Sequence, residues 1–265
     1  MKKILGILAW VASILIVVVG LFFTRKHYQE KPCVEVNIEI NYSSDGAKSD
    51  VFLTYEDVRK FISHRFDSIK GKPMGDINIE ELELKTEEIP YVLDADAFKS
   101  VNGVVSLKIK QRRAIVLVID RRGSKYYIDE EGGIIPIRPG YPADVLICNG
   151  NIPAYEFYGN NNTKVYKDSV IRNTILGDIY HLAKEIDSDK FFRREIAQMY
   201  VNRKSEFEMI PLMGRHKIIF GTAKNSTAKF NKLMLFYNKA KDYDAWGKYK
   251  TVNLKYKEQI VCTKK

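Results

Sequence analysis

The chain has 265 residues and a formal net charge of +10 at pH 7. Its apolar fraction of 45% and charged fraction of 29% are those of a folded globular protein and exclude an intrinsically disordered chain. The excess of Lys and Arg favours an anionic membrane surface, a nucleic acid or an acidic protein as a partner, although a solvated surface rich in Lys is the simpler interpretation.

The first predicted element is a membrane-spanning helix over residues 4–23, a run without any charged residue. About 20 apolar residues at a rise of 1.5 Å per residue cross a hydrocarbon core of about 30 Å. A cleaved signal peptide has a shorter apolar core and a small-x-small cleavage site, and residues 20–24 offer no such site. We therefore expect an uncleaved anchor.

The orientation of this anchor is predicted from the charges that flank it. Lys2 and Lys3 precede the span, Arg25 and Lys26 follow it, and the N-terminal amine adds a charge to the short side. We expect a cytoplasmic N-terminus of residues 1–3, a short stalk over residues 24–33, and an exported body.

Residues 34–112 are predicted to form a compact α+β domain with the element order β-α-α-β-β. Thr54 and Asp57 form a capping-box pattern before a helix, and Asn78 is a good N-cap for a second helix. Asn102-Gly103 between two extended runs predicts a β-hairpin. The pattern indicates a three-stranded sheet covered on one face by two helices.

Residues 113–265 are predicted to form a β domain, a mainly antiparallel sheet backed by two packed helices. Short alternating runs predict the strands. Apolar residues at helical spacing predict the two helices, from Asp168 to Ile186 and from Ser226 to Lys241.

The end of the chain, "TVNLKYKEQIVCTKK", is predicted to be one long closing strand. Val252, Leu254 and Tyr256 alternate with polar residues, so one face of this strand can be buried. Its charged residues, which include Lys255, Lys257 and Glu258, are of the kind that prevents promiscuous pairing at a sheet edge. Specific pairing with a partner strand is still compatible with them.

No catalytic or cofactor-binding motif stands out in the sequence. Asp94-Ala95-Asp96 has the form of a metal–nucleotide motif, but on a strand both carboxylates point to one face, which favours a solvated surface. The four histidines fall in unrelated segments, and the basic residues are not interleaved with aromatic ones as in nucleic-acid interfaces. We expect no enzyme, cofactor, metal, nucleic acid or small-molecule substrate.

Cys33, Cys148 and Cys262 are the three cysteines, an odd number that excludes a complete disulfide framework. Cys148 and Cys262 can pair if their strands are neighbours, and small buried apolar residues are the alternative interpretation. Cys33 is expected to be free.

The ordered series of elements resembles the FtsQ/DivIB family of bacterial cell-division proteins, and within it the Bacteroidetes type. The resemblance covers the whole chain and starts with the single N-terminal span. The α+β module, with "IPYVLDADAFKSVNGVVSLKIKQRRAIV", is similar to the family's POTRA domain. The β domain carries further similar stretches: "YYIDEEGGIIPI", "HKIIFG", "KFNKLMLFY" and "YKTVNLKYKEQIVC".

This resemblance implies a non-catalytic, single-pass type II protein of the inner membrane, with its bulk in the periplasm at the division septum. It implies a scaffold that links early and late divisome proteins. Its β domain would bind an FtsB–FtsL-like pair by adding a partner strand to the edge near the C-terminus.

The resemblance also implies where the partner binds. The family's Val-x-Leu-basic-Tyr pattern falls on Val252, Leu254, Lys255 and Tyr256, and the partner-binding stretch then covers Tyr256, Lys257, Glu258, Gln259, Ile260 and Val261. Small residues often follow the Tyr in the family, and here they are replaced by Lys257, Glu258 and Gln259.

Two other function classes are compatible with the sequence. One is a POTRA-bearing secretion or outer-membrane assembly factor, which needs tandem POTRA modules or a C-terminal barrel of many alternating strands. The other is a type II membrane glycosyltransferase that uses Asp94 and Asp96.

Overall fold

The protein is described by a computed structural model that covers residues 2–42, 51–66, 68–154, 174–242 and 247–265. The chain forms two compact units. The first contains the residues up to 41 together with residues 53–111, and the second contains residues 42–52 together with residues 112–265.

The first unit has the predicted element order, preceded by the long N-terminal helix. Its elements are α1 (Lys2–Glu30), β1 (Glu35–Asn41), α2 (Tyr55–Phe66), α3 (Ile79–Glu87), β2 (Val92–Lys99) and β3 (Val104–Gln111). The sheet order is β1-β3-β2, with β1 parallel and β2 antiparallel to β3. The POTRA-like arrangement β-α-α-β-β is therefore confirmed.

Local signals in the sequence account for the helix starts of this unit. The Asp57 carboxylate accepts from the Thr54 backbone N–H at 2.8 Å, and the Thr54 hydroxyl accepts from the Asp57 N–H at 3.3 Å, which is the predicted capping box. The Asn78 side chain caps α3 by accepting from the Glu81 N–H at 3.2 Å. Buried Val58, Ile62 and Leu82 then pack the two helices onto the sheet.

Helix α1 is longer than the predicted span. The residues after Phe23, which the sequence indicated as a stalk, continue the helix as far as Glu30. Within the described part of the chain, the segment Trp10–Glu30 is one helix that is long and apolar enough to cross a membrane.

The second unit is a nine-stranded sheet with helices. Its elements are β4 (Ala114–Ile119), β5 (Lys125–Asp129), β6 (Ile134–Pro136), β7 (Leu146–Gly150), α4 (Ile175–Ser188), α5 (Lys190–Glu195), β8 (Ile196–Val201), β9 (Phe207–Pro211), β10 (Lys217–Gly221), α6 (Ser226–Asp242), β11 (Tyr249–Asn253) and β12 (Val261–Lys264). The strand order is β12-β11-β10-β9-β8-β7-β4-β5-β6.

The predicted mainly antiparallel sheet with helices is confirmed, and two details go beyond the prediction. Three of its strand pairs are parallel, namely β4–β7, β7–β8 and β10–β11, so the sheet is mixed although most pairs are antiparallel. Besides the two predicted helices there is the short helix α5, capped by Asp189, which accepts from the N–H groups of Phe191 and Phe192 at 2.8 and 3.0 Å. The predicted start of α4 at Asp168 lies outside the described residues.

In strands β8 and β9 the core of the second unit lies on one face of the sheet, whereas consecutive residues of β4 and β5 are buried. Met199 and Met209 are fully buried, whereas Tyr200 and Ile210, the residues that follow them in β8 and β9, are exposed. The apolar stripes of α4 and α6 belong to the same core cluster, with buried residues Leu176, Ile179, Leu182, Ala183, Ile186, Phe230, Leu233 and Tyr237.

The two arginines at the start of this unit, Arg112 and Arg113, form ion pairs within it. The Arg112 guanidinium donates to the buried Asp129 carboxylate at 2.7 Å. Arg113 pairs with Glu130 at 2.9 Å and with Asp187 at 2.6 Å, which ties the start of β4 to the end of α4. Burial raises the pKa of Asp129, and the hydrogen bond from Arg112 opposes that rise.

Candidate functional site

The chain end forms a hairpin, and the predicted single closing strand is wrong. β11 ends at Asn253, residues 254–260 form a loop, and β12 returns antiparallel to β11. The pairs are Asn253 with Val261, Val252 with Cys262, Thr251 with Thr263, and Tyr249 with Lys264. β12 therefore covers the outer side of β11 and becomes the last strand of the sheet in the described part of the chain.

The hairpin is held in place by apolar side chains of both strands and of the loop. Val252 and Leu254 are fully buried in the core, as their alternation predicted. Ile260 and Cys262 are partly buried and pack against the same core. This burial keeps the edge of the sheet in place.

Polar contacts fix the loop between the two strands. Lys232 of α6 donates to the Leu254 carbonyl at 3.1 Å and also to the Tyr256 carbonyl. The Asn253 side chain accepts from the Lys255 N–H at 3.0 Å. Lys255 in turn forms an ion pair with Glu206 at 2.6 Å. The loop thus takes its shape from residues distant in sequence.

The predicted partner-binding residues occupy this loop and the first position of β12. Tyr256, Lys257, Glu258 and Gln259 are exposed, Ile260 is partly buried, and Val261 opens β12 with an exposed side chain. Five of the six residues are therefore outside a strand, which corrects the conformation assumed for them. The residues that form the edge and that the sequence interpretation missed are Cys262, Thr263 and Lys264.

The backbone of β12 has hydrogen-bonding groups on its outer side. The Lys265 N–H donates to the Lys248 carbonyl at 3.2 Å, toward β11. Because backbone direction alternates along a strand, the N–H groups of Cys262 and Lys264 point away from β11. Within the described residues no strand pairs with this outer side. Two N–H donors and the neighbouring carbonyls are therefore oriented as an incoming strand requires.

The surroundings of this edge are strongly basic. Residues 247–265 contain six Lys and one Glu. On α6, burial lowers the pKa of Lys229, and the nearby Lys232 lowers it further. The hydrogen bond from Lys255 lowers the pKa of Glu206, so that carboxylate stays ionised and offsets part of the charge. The edge consequently suits a partner segment that carries acidic residues.

The structure does not support the other candidate sites, which are the Asp94–Asp96 pair, a metal site and a disulfide between Cys148 and Cys262. Asp94 and Asp96 are exposed on β2 while Ala95 is buried, as expected for a solvated strand face. Among the described residues, no group of three or more His, Cys, Asp and Glu side chains is arranged to hold a metal. Cys148 in β7 and Cys262 in β12 are separated by four strands of the sheet, so they do not pair.

Gly221, at the end of β10, makes room for Lys255 beside the loop. Its φ is +80°, and a Cβ there would lie 2.9 Å from Lys255 Cγ. We expect Gly221→Ala to lower the free energy of unfolding by about 1–2 kcal/mol for the backbone conformation alone, and to displace Lys255. Without its hydrogen bond from Lys255, Glu206 should then titrate at a higher pH, which an NMR titration measures.

Gly123 is a matched control for this substitution. It has nearly the same φ, +82°, and no atom lies within 4 Å of the position that a Cβ would take there. Gly123→Ala should therefore cost a similar amount of stability and leave the pKa of Glu206 unchanged. The same pKa of Glu206 in both variants would contradict the role of Gly221 in placing Lys255.

Comparison with known families covers both units of the chain. A family model described as "FtsQ/DivIB, C-terminal related" matches residues 113–263. A second model, described as "POTRA-like domain", matches residues 31–110. A search of the curated proteins found no match. The first match covers more than half of the chain and includes β11, the loop and most of β12.

Proposed function

The chain belongs to the FtsQ/DivIB, C-terminal related family and carries a POTRA-like domain, and from this premise we propose that it is a non-catalytic scaffold of the bacterial division machinery. In this role it links early and late divisome proteins. The family domains support a cell-division scaffold, and the partner and its binding mode are the finer parts of the proposal.

The proposed partner is an FtsB–FtsL-like pair, and the proposed mode is strand addition to β12. The observation that carries this is the outer side of β12, with which no described strand pairs. Alternation from the Lys265 N–H, which donates toward β11, assigns the N–H groups of Cys262 and Lys264 to that side. Backbone hydrogen bonds would supply the affinity, and side chains at alternate positions would supply register and specificity.

The exposed loop residues before β12 are proposed to contribute to specificity. Tyr256 is about half exposed, and Lys257, Glu258 and Gln259 are exposed beside the start of β12. A strand that pairs along β12 would pass this loop, so its side chains are available for specificity contacts. The backbone contacts of the ladder are assigned to residues 261–264.

The proposed location follows from the N-terminal helix and the family. Residues 4–23 would cross the inner membrane with residues 1–3 in the cytoplasm, and the body would lie in the periplasm at the division septum. The support is the apolar helix, which is long enough to span a bilayer. No observation favours a secretion factor or a glycosyltransferase over this function.

The proposal is tested by capture of the full chain from membranes, followed by identification of the bound proteins. We expect recovery of an FtsB–FtsL-like pair with the unaltered chain and with Lys264→Ala. We expect much weaker recovery with Lys264→Pro, which lacks the outward N–H donor but leaves the bonds to β11 in place. Equal recovery with Pro and Ala at this position would count against strand addition here.

A further inference from the structure

The end of helix α1 is joined to the POTRA-like domain by a continuous set of hydrogen bonds. The Cys33 N–H donates to the Lys72 carbonyl, the Gly71 N–H to the Cys33 carbonyl, and the Met74 N–H to the Lys31 carbonyl, each at 2.8 Å. We call the segments that meet here, residues 28–34, 69–75 and 100–103, the collar.

The hairpin turn between β2 and β3 completes the collar. The Val34 N–H donates to the Gly103 carbonyl at 2.8 Å, and the Lys31 ammonium donates to the Val101 carbonyl at 3.0 Å. Cys33 is 2% exposed. The residues after the helix are therefore part of the domain, which fixes the distance between the collar and the apolar part of α1.

That distance places the collar at the outer boundary of the lipid headgroup layer when α1 spans a bilayer. Phe23 is the last residue of the apolar run, and Glu30 ends the helix. Seven residues at 1.5 Å each put the helix end about 10 Å beyond the hydrocarbon core when the helix is upright, and headgroups extend roughly 5–8 Å beyond that core on each side. Even an upright helix leaves the collar at the membrane surface.

The exposed chemistry of the collar fits an anionic surface. Val101, at the tip of the hairpin turn, is 79% exposed. Lys70 and Lys72 are exposed on the neighbouring loop. Residues 24–34, 69–76 and 99–104 together contain six Lys and Arg against two Asp and Glu. An apolar tip flanked by basic side chains is the pattern of a peripheral contact with anionic lipid.

We propose that the POTRA-like domain is seated on the bilayer in which its own helix is anchored, with Val101 against the headgroup layer and Lys70 and Lys72 on anionic phospholipid headgroups. This inference rests on the membrane anchoring in the proposed function and goes beyond it. The seating sets the height and tilt at which the first unit stands on the membrane, because the hydrogen bonds of the collar join the helix end to the domain.

The test uses the full chain in liposomes, with a fluorophore attached to a cysteine at one chosen position and a quencher on the lipid close to the headgroup. The background is Cys262→Ser, because Cys33 and Cys148 are buried. The three label positions are Val101→Cys in the turn, Asp94→Cys about 20 Å farther along the sheet, and Val17→Cys inside the apolar run.

We expect the label at position 101 to lose most of its fluorescence in liposomes rich in phosphatidylglycerol, and the label at position 94 to lose little. Lys70→Glu combined with Lys72→Glu should reduce the loss at position 101, as should liposomes of phosphatidylcholine alone. If the label at position 101 is quenched no more than the label at position 94, while fluorescence of the label at position 17 shows that α1 is inserted, the seating is overturned and the anchoring stands. If the label at position 17 shows that α1 is not inserted, the anchoring fails and the seating fails with it. Equal quenching at position 101 in both kinds of liposome overturns the preference for anionic lipid.

Discussion

Replacement of Arg112 by Met is expected to lower the free energy of unfolding of the β domain by about 3–5 kcal/mol at neutral pH, because it leaves the Asp129 carboxylate buried without its cation. Asp129 is 1% exposed and lies 2.7 Å from the Arg112 guanidinium. The Asp129 carboxylate also accepts hydrogen bonds from the N–H groups of Glu131 and Gly133 in the β5–β6 turn. Loss of the Arg112 cation therefore also affects the stability of that turn. Urea unfolding of the full chain in micelles, followed by circular dichroism, measures the effect.

The pH dependence identifies the carboxylate as the cause. Burial raises the folded-state pKa of Asp129 above its ordinary value, and loss of Arg112 removes the hydrogen bond that opposes this rise. A carboxyl group with a raised folded-state pKa favours folding at low pH, and this contribution is lost as the pH rises through that pKa. The destabilisation by Arg112→Met should therefore shrink toward acidic pH.

Asp129→Asn provides the matched background for this substitution. The amide keeps an acceptor for the turn and carries no charge. In the Asp129→Asn background, Arg112→Met should lower the free energy of unfolding much less than it does in the natural chain. An equal cost in both backgrounds, or a cost that does not change with pH, would mean that Arg112 acts through packing alone.

The second large effect is expected on partner binding. Cys262→Pro combined with Lys264→Pro removes the two outward N–H donors of β12 and should weaken binding of the FtsB–FtsL-like pair by roughly 2 kcal/mol, or about 30-fold in Kd. The inward bonds to β11 stay in place, because they come from the alternate residues. Titration of the purified pair against the full chain in nanodiscs measures the change.

The control carries Ala at both positions, which keeps both N–H donors. It should bind within a few-fold of the natural chain, apart from the loss of one positive charge. If the Ala pair weakens binding as much as the Pro pair, side chains rather than the backbone ladder dominate the interface. Melting curves of both variants should coincide, which excludes unfolding as the cause.

Local sequence signals predicted the first unit well because they act over a few residues. The capping box at Thr54 and Asp57 and the Asn102-Gly103 turn are visible without any tertiary information, and both are in the structure. The burial of Val252 and Leu254 followed from their alternation. These features required only the period of the pattern and the identity of the capping or turn residue.

The C-terminal hairpin was not predictable in the same way. The loop after Asn253 contains no Gly, Pro or Asn, so nothing in it indicates a turn. Its shape depends on Lys232, which is 22 positions from Leu254, and on the pair of Lys255 with Glu206, 49 positions away. Likewise, the parallel pairs β4–β7 and β10–β11 bring together segments that are far apart in the chain.

The hairpin, in place of one long strand, changes which residues form the candidate site. With one long strand, Lys257 and Gln259 would lie in the ladder, and proline there would test strand addition. With a hairpin, they lie in the loop, and the N–H donors of the proposed ladder belong to Cys262 and Lys264. The six predicted residues remain part of the proposed surface, but the ladder moves to β12.

Backbone hydrogen exchange along β12, with and without the saturating partner pair, tests strand addition most directly. The account predicts that the amides of Cys262 and Lys264 exchange rapidly in the isolated protein and become protected in the complex. The amide of Thr263, which points toward β11, should already be protected and change little. Unchanged exchange at Cys262 and Lys264 in a saturated complex would contradict strand addition at this edge.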